Sequence, residues 1–225
     1  MTYAMSDLHG CRALYESMLT TIRLKEQDTL YILGDVVDRG EGGIAILQDM
    51  MHRENVIPLR GNHDFLAHYL LKRHAAGQTD SAEYAEWFPL WIQDGGTPTL
   101  SAFAALSPAE KMDILAYLNT FLLYDEVEAG GNTFFLAHTV PDRARMQRFD
   151  RLLWQEFIIG EPEYDKEYFP DRFVVTGHTP TGLIDSRYAG RIYRQNRHIA
   201  LDCGAVFGHA LGCICLDTGE EFYVR

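Results

Sequence analysis

The stretch GDVVDRG at positions 34–40 places two carboxylates and one guanidinium directly after the apolar run TLYIL. Acidic side chains at the end of a buried strand cost free energy unless another group compensates their charge. Asp35 and Asp38 therefore require a partner. The residue types found at similar places elsewhere in the chain indicate what that partner is.

Polar side chains of a few types also follow four other apolar runs. The groups at the ends of these runs are Asp7, His9, Asn62, His63, His138 and His178. In open parallel α/β sheets, ligands bind outside the carboxyl ends of the strands. We therefore expect the side chains from all five strand ends to meet at one edge of a sheet.

These side chains offer oxygen and nitrogen ligands and no thiolate, a set that suits Mn²⁺, Fe²⁺ and Zn²⁺. They outnumber the ligands of one tetrahedral ion and suit two ions about 3.5–4 Å apart that share a carboxylate. Each motif alone is also compatible with an ordinary loop or helix cap. Their occurrence together, each at the end of an apolar run, predicts a dinuclear metal site.

Hydrophobic periodicity indicates how the chain positions these groups. Apolar residues four apart, such as Leu14, Met18 and Ile22, predict amphipathic helices between the first three apolar runs. This β-α-β-α-β order is typical of a parallel sheet with right-handed crossovers. Further strands are predicted from residue 122 onward.

The middle of the chain has a helical pattern. Ser107, Pro108 and Glu110 form the signature of a capped helix start. We predict a single domain over residues 1–225, with a helical cap inserted at about 70–120. Four aromatic residues of this cap either stack on a nucleobase or form the core of the cap itself; they are Tyr84, Trp87, Phe88 and Trp91.

A net charge of −12 argues against affinity for nucleic acid polymers, whose phosphates attract basic surfaces. No apolar stretch approaches the ~18 residues needed to span a bilayer, and no signal peptide is recognisable. We therefore expect a cytoplasmic protein without a membrane partner. The four cysteines form no C-x-x-C pair and are predicted to be reduced thiols.

The motifs SDLHG, GDVVDRG, GNHD, LAHT and TGHTP resemble, in this order, the signature of calcineurin-like metallophosphoesterases of the Ser/Thr protein phosphatase type. That family includes bacterial Ser/Thr phosphatases and symmetrical bis(5'-nucleosyl)-tetraphosphatases. The resemblance implies an α/β fold, a β-sandwich of two mixed sheets flanked by helices. The metals would lie at the strand ends.

The resemblance also implies a role for each site residue. One metal would be held by Asp7, His9 and Asp35, and the second by Asp35, Asn62, His138 and His178. Mn²⁺ is the expected ion, with Fe²⁺ or Zn²⁺ as alternatives. His63 would protonate the leaving oxygen and Asp38 would orient it, while Arg39 and Asn62 would bind the phosphate.

The implied reaction is hydrolysis of phosphate monoesters, on phosphoproteins or small molecules, by direct attack of a metal-bridging water or hydroxide. Hydrolysis of dinucleoside polyphosphates such as diadenosine tetraphosphate is the alternative. An inactive metal-binding regulatory module is a more remote one.

The sequence departs from the family pattern at LLWQEF, where relatives carry a second phosphate-binding arginine after the tryptophan. Here Gln155 and Glu156 follow Trp154. Arg151 is the candidate replacement, and the alternative is that it is an ordinary solvated surface charge.

Overall fold

The computed structural model describes residues 1–225, which form two five-stranded mixed sheets packed face to face. In spatial order, the first sheet contains β10 (Glu221–Val224), β9 (Leu211–Cys215), β1 (Thr2–Met5), β2 (Thr29–Ile32) and β3 (Val56–Pro58). The second contains β4 (Tyr124–Ala129), β5 (Asn132–Ala137), β6 (Arg172–Thr176), β8 (His198–Ala200) and β7 (Tyr193–Gln195). The sandwich of two mixed sheets implied by the family resemblance is confirmed.

Strict alternation of side chains along the strands builds the two faces of the first sheet. Tyr3 and Met5 of β1 pack against the helices, whereas Ala4 between them packs against the second sheet. Successive side chains of a strand point to opposite faces, and both faces of β1 are buried because each packs against another layer. Leu136 of β5 and Val175 of β6 complete the core between the sheets.

Helices cover the outer face of the first sheet. Their bounds are α1 (Arg12–Ile22), α2 (Gly43–Met51), α3 (Asn62–Ala75), α4 (Ala82–Trp91), α5 (Thr97–Ala104) and α6 (Pro108–Asn119). Two short helices, α7 (Arg143–Met146) and α8 (Thr181–Ile184), follow later in the chain. The predicted capping box is confirmed, because Ser107 and Glu110 exchange hydrogen bonds between side chain and backbone at the start of α6. No helix is long and apolar enough to cross a bilayer.

Irregular chain covers the outer face of the second sheet. Residues 141–172, polar in sequence, contribute the buried side chains of Met146, Phe157 and Tyr168, which pack against Phe135 of β5. All four cysteines are free thiols, and three of them are buried.

The strand ends that carry the polar groups belong to both sheets, a point on which the sequence patterns alone were wrong. β1, β2 and β3 lie side by side in the first sheet, whereas β5 and β6 lie in the second. The carboxyl ends of the two sets meet at the same end of the sandwich, since His138 after β5 donates from Nδ1 to the carbonyl of Leu33 after β2 at 2.7 Å.

Candidate dinuclear metal site

The loops after β1 and β2 are joined by backbone hydrogen bonds. The amide of His9 donates to the carbonyl of Asp35 at 2.8 Å, and the amide of Asp7 donates to the carbonyl of Gly34 at 3.1 Å. The amide of Gly40, at the end of the same loop, donates to the carbonyl of His9 at 2.9 Å. These bonds hold the polar groups of both strand ends side by side.

The backbone of the site is strained. Nine non-glycine residues of the chain have positive φ, and six of them are predicted site residues, namely Asp7, His9, Asp35, Asp38, Arg39 and His178. Such conformations cost of order 1–3 kcal/mol each and concentrate at functional sites. Favourable packing and hydrogen bonds of the surrounding fold must therefore offset the conformational strain of these residues.

Asp35 lies at the centre of the site and is buried. Its Oδ2 is 3.6 Å from the Nε2 of His9 and 3.6 Å from the Nε2 of His138, while its Oδ1 accepts the amide of His63 at 3.0 Å. Asp35 also belongs to both groups of side chains whose ligand atoms lie within 4.8 Å of one another. This is the position that a carboxylate shared between two ions requires.

The carboxylate of Asp64 fixes the loop that contains Asp35, a role that the sequence patterns did not predict. This carboxylate accepts the amides of Asp35 at 2.7 Å, Val36 at 2.9 Å and Gly61 at 3.1 Å. An acidic residue in the first turn of a helix is a recognisable signal, because it can bind the free amides there. Asp64 is the third residue of α3, within the GNHD motif.

Three potential ligand atoms converge on the second-sheet side of Asp35. The Oδ1 of Asn62 lies 3.0 Å from the Nε2 of His138 and 3.0 Å from the Nδ1 of His178, and these two nitrogens are 3.1 Å apart. Because His138 donates from Nδ1 to the Leu33 carbonyl, its Nε2 presents a lone pair to the other two atoms. Side chains grouped this closely, together with Asp35, could hold a metal ion.

Another group of potential metal ligands lies on the first-sheet side of Asp35 and consists of His9, Asp35 and His63. His9 bonds the carbonyl of Val37 through Nδ1 at 3.1 Å, which leaves Nε2 as the ligand atom. The carboxylate of Asp7 instead accepts the backbone amide of His178 at 3.0 and 3.2 Å. Asp7 thus spans the strand ends of both sheets, and its role as a metal ligand stays a prediction.

The protonation states fit a divalent metal. Burial lowers the pKa of His9 and of His178 to about 4, so both imidazoles are neutral near pH 7, as metal ligands must be. Burial also raises the pKa of Asp7, and the nearby carboxylates of Asp202 and Asp35 act in the same direction. Carboxylates buried this close together are tolerable when cations neutralise them.

Glycine at position 177 is required for the approach of Asp7. A β-carbon there would overlap Asp7 Oδ2. We expect Gly177→Ala to weaken Mn²⁺ binding by about 10- to 100-fold, the usual effect of displacing a group that supports metal ligands. Calorimetric titration of the metal-stripped protein measures this. Gly77→Ala is the control: Gly77 has φ +66°, so this variant adds backbone strain, but no atom lies within 4 Å of its β position, and it should retain wild-type metal affinity.

Asp38 is a fully buried hydrogen-bond centre between the strand loops and the cap. Its Oδ2 accepts the Nδ1 proton of His63 and the indole Nε1 proton of Trp91, both at 2.8 Å. Its Oδ1 accepts the hydroxyl of Thr99 at 2.7 Å. Burial would lower the pKa of His63, but the charge of Asp35 and the bond to Asp38 raise it to about 9.

Arg39 lies between the imidazoles of His9 and His63. Its Nη1 is 2.8 Å from the Nε2 of His9, and its Nη2 is 3.0 Å from the Nε2 of His63. Arg151 is not brought into the site: its side chain is 72% exposed, with Nε 3.9 Å from the carboxylate of Asp150. The acidic residue of LLWQEF is neutralised, because Glu156 receives two hydrogen bonds from Arg145, at 2.7 and 2.8 Å.

An apolar cleft of about 420 Å³ adjoins the site at Asn62. We call it the aromatic cleft, and its principal lining residues are Phe65, Tyr69, Trp87, Trp154, Ile158 and Ile159. The ring of Trp154 packs on that of Phe65 with centroids 4.6 Å apart. Of the four cap aromatics singled out in the sequence, only Trp87 lines the cleft; the other three pack in the core between cap and first sheet.

The fold and the paired Asp-His-Asn groups define a class of protein. The chain belongs to the calcineurin-like phosphoesterase family, whose family model matches residues 2–211. This range contains every predicted metal ligand. The resemblance inferred from the five motifs is therefore confirmed.

Individual relatives resemble the chain to different extents. A symmetrical bis(5'-nucleosyl)-tetraphosphatase of Chromohalobacter salexigens is 30% identical over 97% of this chain and 96% of that protein. Serine/threonine-protein phosphatase 1 of Salmonella typhimurium is 28% identical over 93% of this chain and 88% of that protein. The match to a symmetrical bis(5'-nucleosyl)-tetraphosphatase of Acidovorax ebreus, 34% identical, spans only 44% of that protein.

Among solved structures, the one described as "a putative diadenosine tetraphosphatase" superposes with a TM-score of 0.67 at 22% identity. The match covers 99% of this chain and 92% of that chain. At this level of identity the likeness shows the fold alone.

Proposed function

We propose that this chain is a phosphoric ester hydrolase that depends on two divalent metal ions, with Mn²⁺ as the preferred ion. The observation that carries the proposal is the position of Asp35, which lies 3.6 Å from a histidine nitrogen on either side and belongs to both ligand groups. The membership in a phosphoesterase family supports it.

The ions would be held by Asp7, His9 and Asp35 on one side and by Asp35, Asn62, His138 and His178 on the other. When bound, they supply positive charge for a phosphoryl group and lower the pKa of water at the site. Backbone carbonyls orient the imidazoles of His9 and His138 through their Nδ1 atoms.

The other residues of the site move a proton and hold an anion. In hydrolysis, a water oxygen bonds to phosphorus while the bond from phosphorus to the leaving oxygen breaks. His63 would give a proton from its Nε2 to that leaving oxygen. Asp38 fixes the orientation of the imidazole, and the guanidinium of Arg39 presents its fork to the phosphoryl oxygens.

We propose dinucleoside polyphosphates as the substrate class, because the aromatic cleft lies next to the site. Its volume is in the range of small-molecule sites, and exposed aromatic rings stack on nucleobases irrespective of sequence. The relative that matches this chain over 96% of its own length is named for such a substrate.

Phosphate monoesters, including phosphoserine and phosphothreonine in proteins, are the second candidate. The observation that favours them is the match to Serine/threonine-protein phosphatase 1 over 88% of that protein. The same metal ligands and the same acid would serve both reactions, because both break a phosphorus–oxygen bond by attack of water.

The experiment is turnover by metal-stripped protein supplied with Mn²⁺, measured in parallel on diadenosine tetraphosphate, a phosphoserine peptide and p-nitrophenyl phosphate. Metal-dependent hydrolysis of any of them supports the proposed reaction. A higher kcat/KM on the dinucleotide than on the peptide supports the first substrate class, and the reverse order the second. Bound metal without turnover of any substrate would identify an inactive metal-binding module.

The cleft assignment leads to a specific prediction for Trp87, which is 44% exposed. We expect Trp87→Ala to raise KM for diadenosine tetraphosphate about tenfold, the effect of losing one base-stacking ring. Hydrolysis of glycerol phosphate, which has no ring, should change less than twofold. Leu90→Ala on the same helix is the control, since Leu90 is 57% exposed and does not line the cleft. Equal losses on both substrates would contradict the assignment.

A further inference from the structure

A carboxylate of the cap, that of Asp94, faces the guanidinium of Arg39 and the imidazole of His63. Its Oδ1 accepts a hydrogen bond from Arg39 Nη2 at 3.2 Å, and its Oδ2 lies 3.5 Å from His63 Nε2. These are the groups that the proposed function assigns to the phosphoryl oxygens and the leaving oxygen. Asp94 therefore contributes a fixed negative charge where an anionic substrate must bind.

The position of this carboxylate is set by the fold on either side of it. Asp94 lies in a kink over Ile92–Gly96, between α4 and α5, where Asp94 and Gly95 have non-helical backbone angles. The carbonyl of Gly95 accepts the amide of Arg39 at 2.8 Å, and a β-carbon on Gly95 would lie 2.7 Å from Arg39 Cγ. Trp91, three residues before Asp94, is bonded to Asp38. Asp94 is thus held against the site although its side chain is 60% exposed.

Few other cations offset this charge. Arg145 is paired with Glu156, and the exposed Arg151 lies beside Asp150. Among its side chains, the site therefore has the guanidinium of Arg39 as its permanent cation, and Asp94 cancels part of that charge.

Phosphoryl groups differ in the charge that they bring. A terminal phosphate monoester carries close to two negative charges above its second pKa of about 6. An internal phosphate of a polyphosphate, like a phosphodiester, carries one. The carboxylate of Asp94 therefore repels a doubly charged monoester more strongly than it repels a singly charged phosphoryl group.

We propose that Asp94 is a specificity-determining residue that disfavours doubly charged terminal phosphates and so directs the site to singly charged phosphoryl groups, in diesters or anhydrides. This inference rests on the proposed hydrolase function. It deepens that function, because it assigns the choice between ester classes to one residue of the cap.

The test compares two substrates with the same leaving group, p-nitrophenyl phosphate and bis(p-nitrophenyl) phosphate, at pH 8 with Mn²⁺. Asp94→Asn keeps the size of the side chain and removes its charge. We expect the ratio of kcat/KM for monoester over diester to rise about fivefold, mainly through KM, as expected for a charge at a partly exposed position. The rise should diminish at high salt, which screens exposed charges.

Two further variants complete the design. Asp94→Glu retains the charge and should retain the wild-type ratio, whereas Asp150→Asn makes the same change of net charge at an exposed side chain that lies beside Arg151 and should also leave it unchanged. An unchanged or lower ratio in Asp94→Asn would overturn the proposal, as would equal gains on both substrates, which would mean that Asp94 only obstructs the site. Wild-type protein that hydrolyses neither substrate would refute the hydrolase function itself.

Discussion

Asp35→Asn should release both metal ions and lower kcat/KM by at least roughly a thousandfold, since metals contribute several kcal/mol to such reactions. Asparagine has the same shape but no charge, and it cannot serve as a shared carboxylate between two cations. The effect should exceed that of replacing any ligand that serves one ion. Elemental analysis after dialysis, together with turnover in excess Mn²⁺, measures both consequences.

Asp28→Asn is the matched control for this substitution. Asp28 is also buried, but it directly precedes β2 at the opposite end of the strand from Asp35, where it pairs with the N-terminal amine. We expect this variant to retain its metal content. Two equivalents of metal bound by Asp35→Asn would refute the bridging role of Asp35.

His63→Asn should separate substrates by their leaving groups. An ester that leaves as an alkoxide needs its oxygen protonated, so its hydrolysis should fall by about 10²–10⁴-fold, the usual contribution of a general acid. Hydrolysis of p-nitrophenyl phosphate should fall less than about tenfold, because p-nitrophenolate leaves without protonation. Parallel kcat measurements on glycerol phosphate and p-nitrophenyl phosphate test this, and the metal content should stay at the wild-type level.

His68→Asn provides the comparison on the same helix. His68 lies outside the site and lines a surface depression with Lys72 and Leu115, so its loss should affect neither substrate. Equal losses on both esters in His63→Asn would show that His63 positions the site instead of donating a proton.

The polar groups of the site could be predicted because each one stands next to its strand in the sequence. Asp7, Asp35 and Asn62 follow apolar runs within a few residues, so their place at a strand end is a local property. The partition into two sheets could not be found in this way. β5 is parallel to β6, and an apolar strand has the same local pattern whichever sheet it joins.

The contacts of Asp38 that the sequence did not predict join positions far apart in the chain. Trp91 and Thr99 reach Asp38 from 53 and 61 residues further along the chain. Nothing in the local sequence distinguishes these side chains from ordinary core residues. The same holds for Glu156, whose charge close to Trp154 is compensated by Arg145, 11 residues earlier in the chain.

The three hydrogen bonds that meet at Asp38 have a consequence for how the active molecule forms. Because Trp91 and Thr99 belong to the cap and His63 to α3, docking of the cap and alignment of the proton donor are one cooperative event. A chain with an undocked cap would keep its metal ligands but lose the arrangement that protonates a leaving group. With the proposed roles, incompletely folded molecules would bind metal without hydrolysing substrate, and the stability of the docked cap would set the fraction of protein that is active.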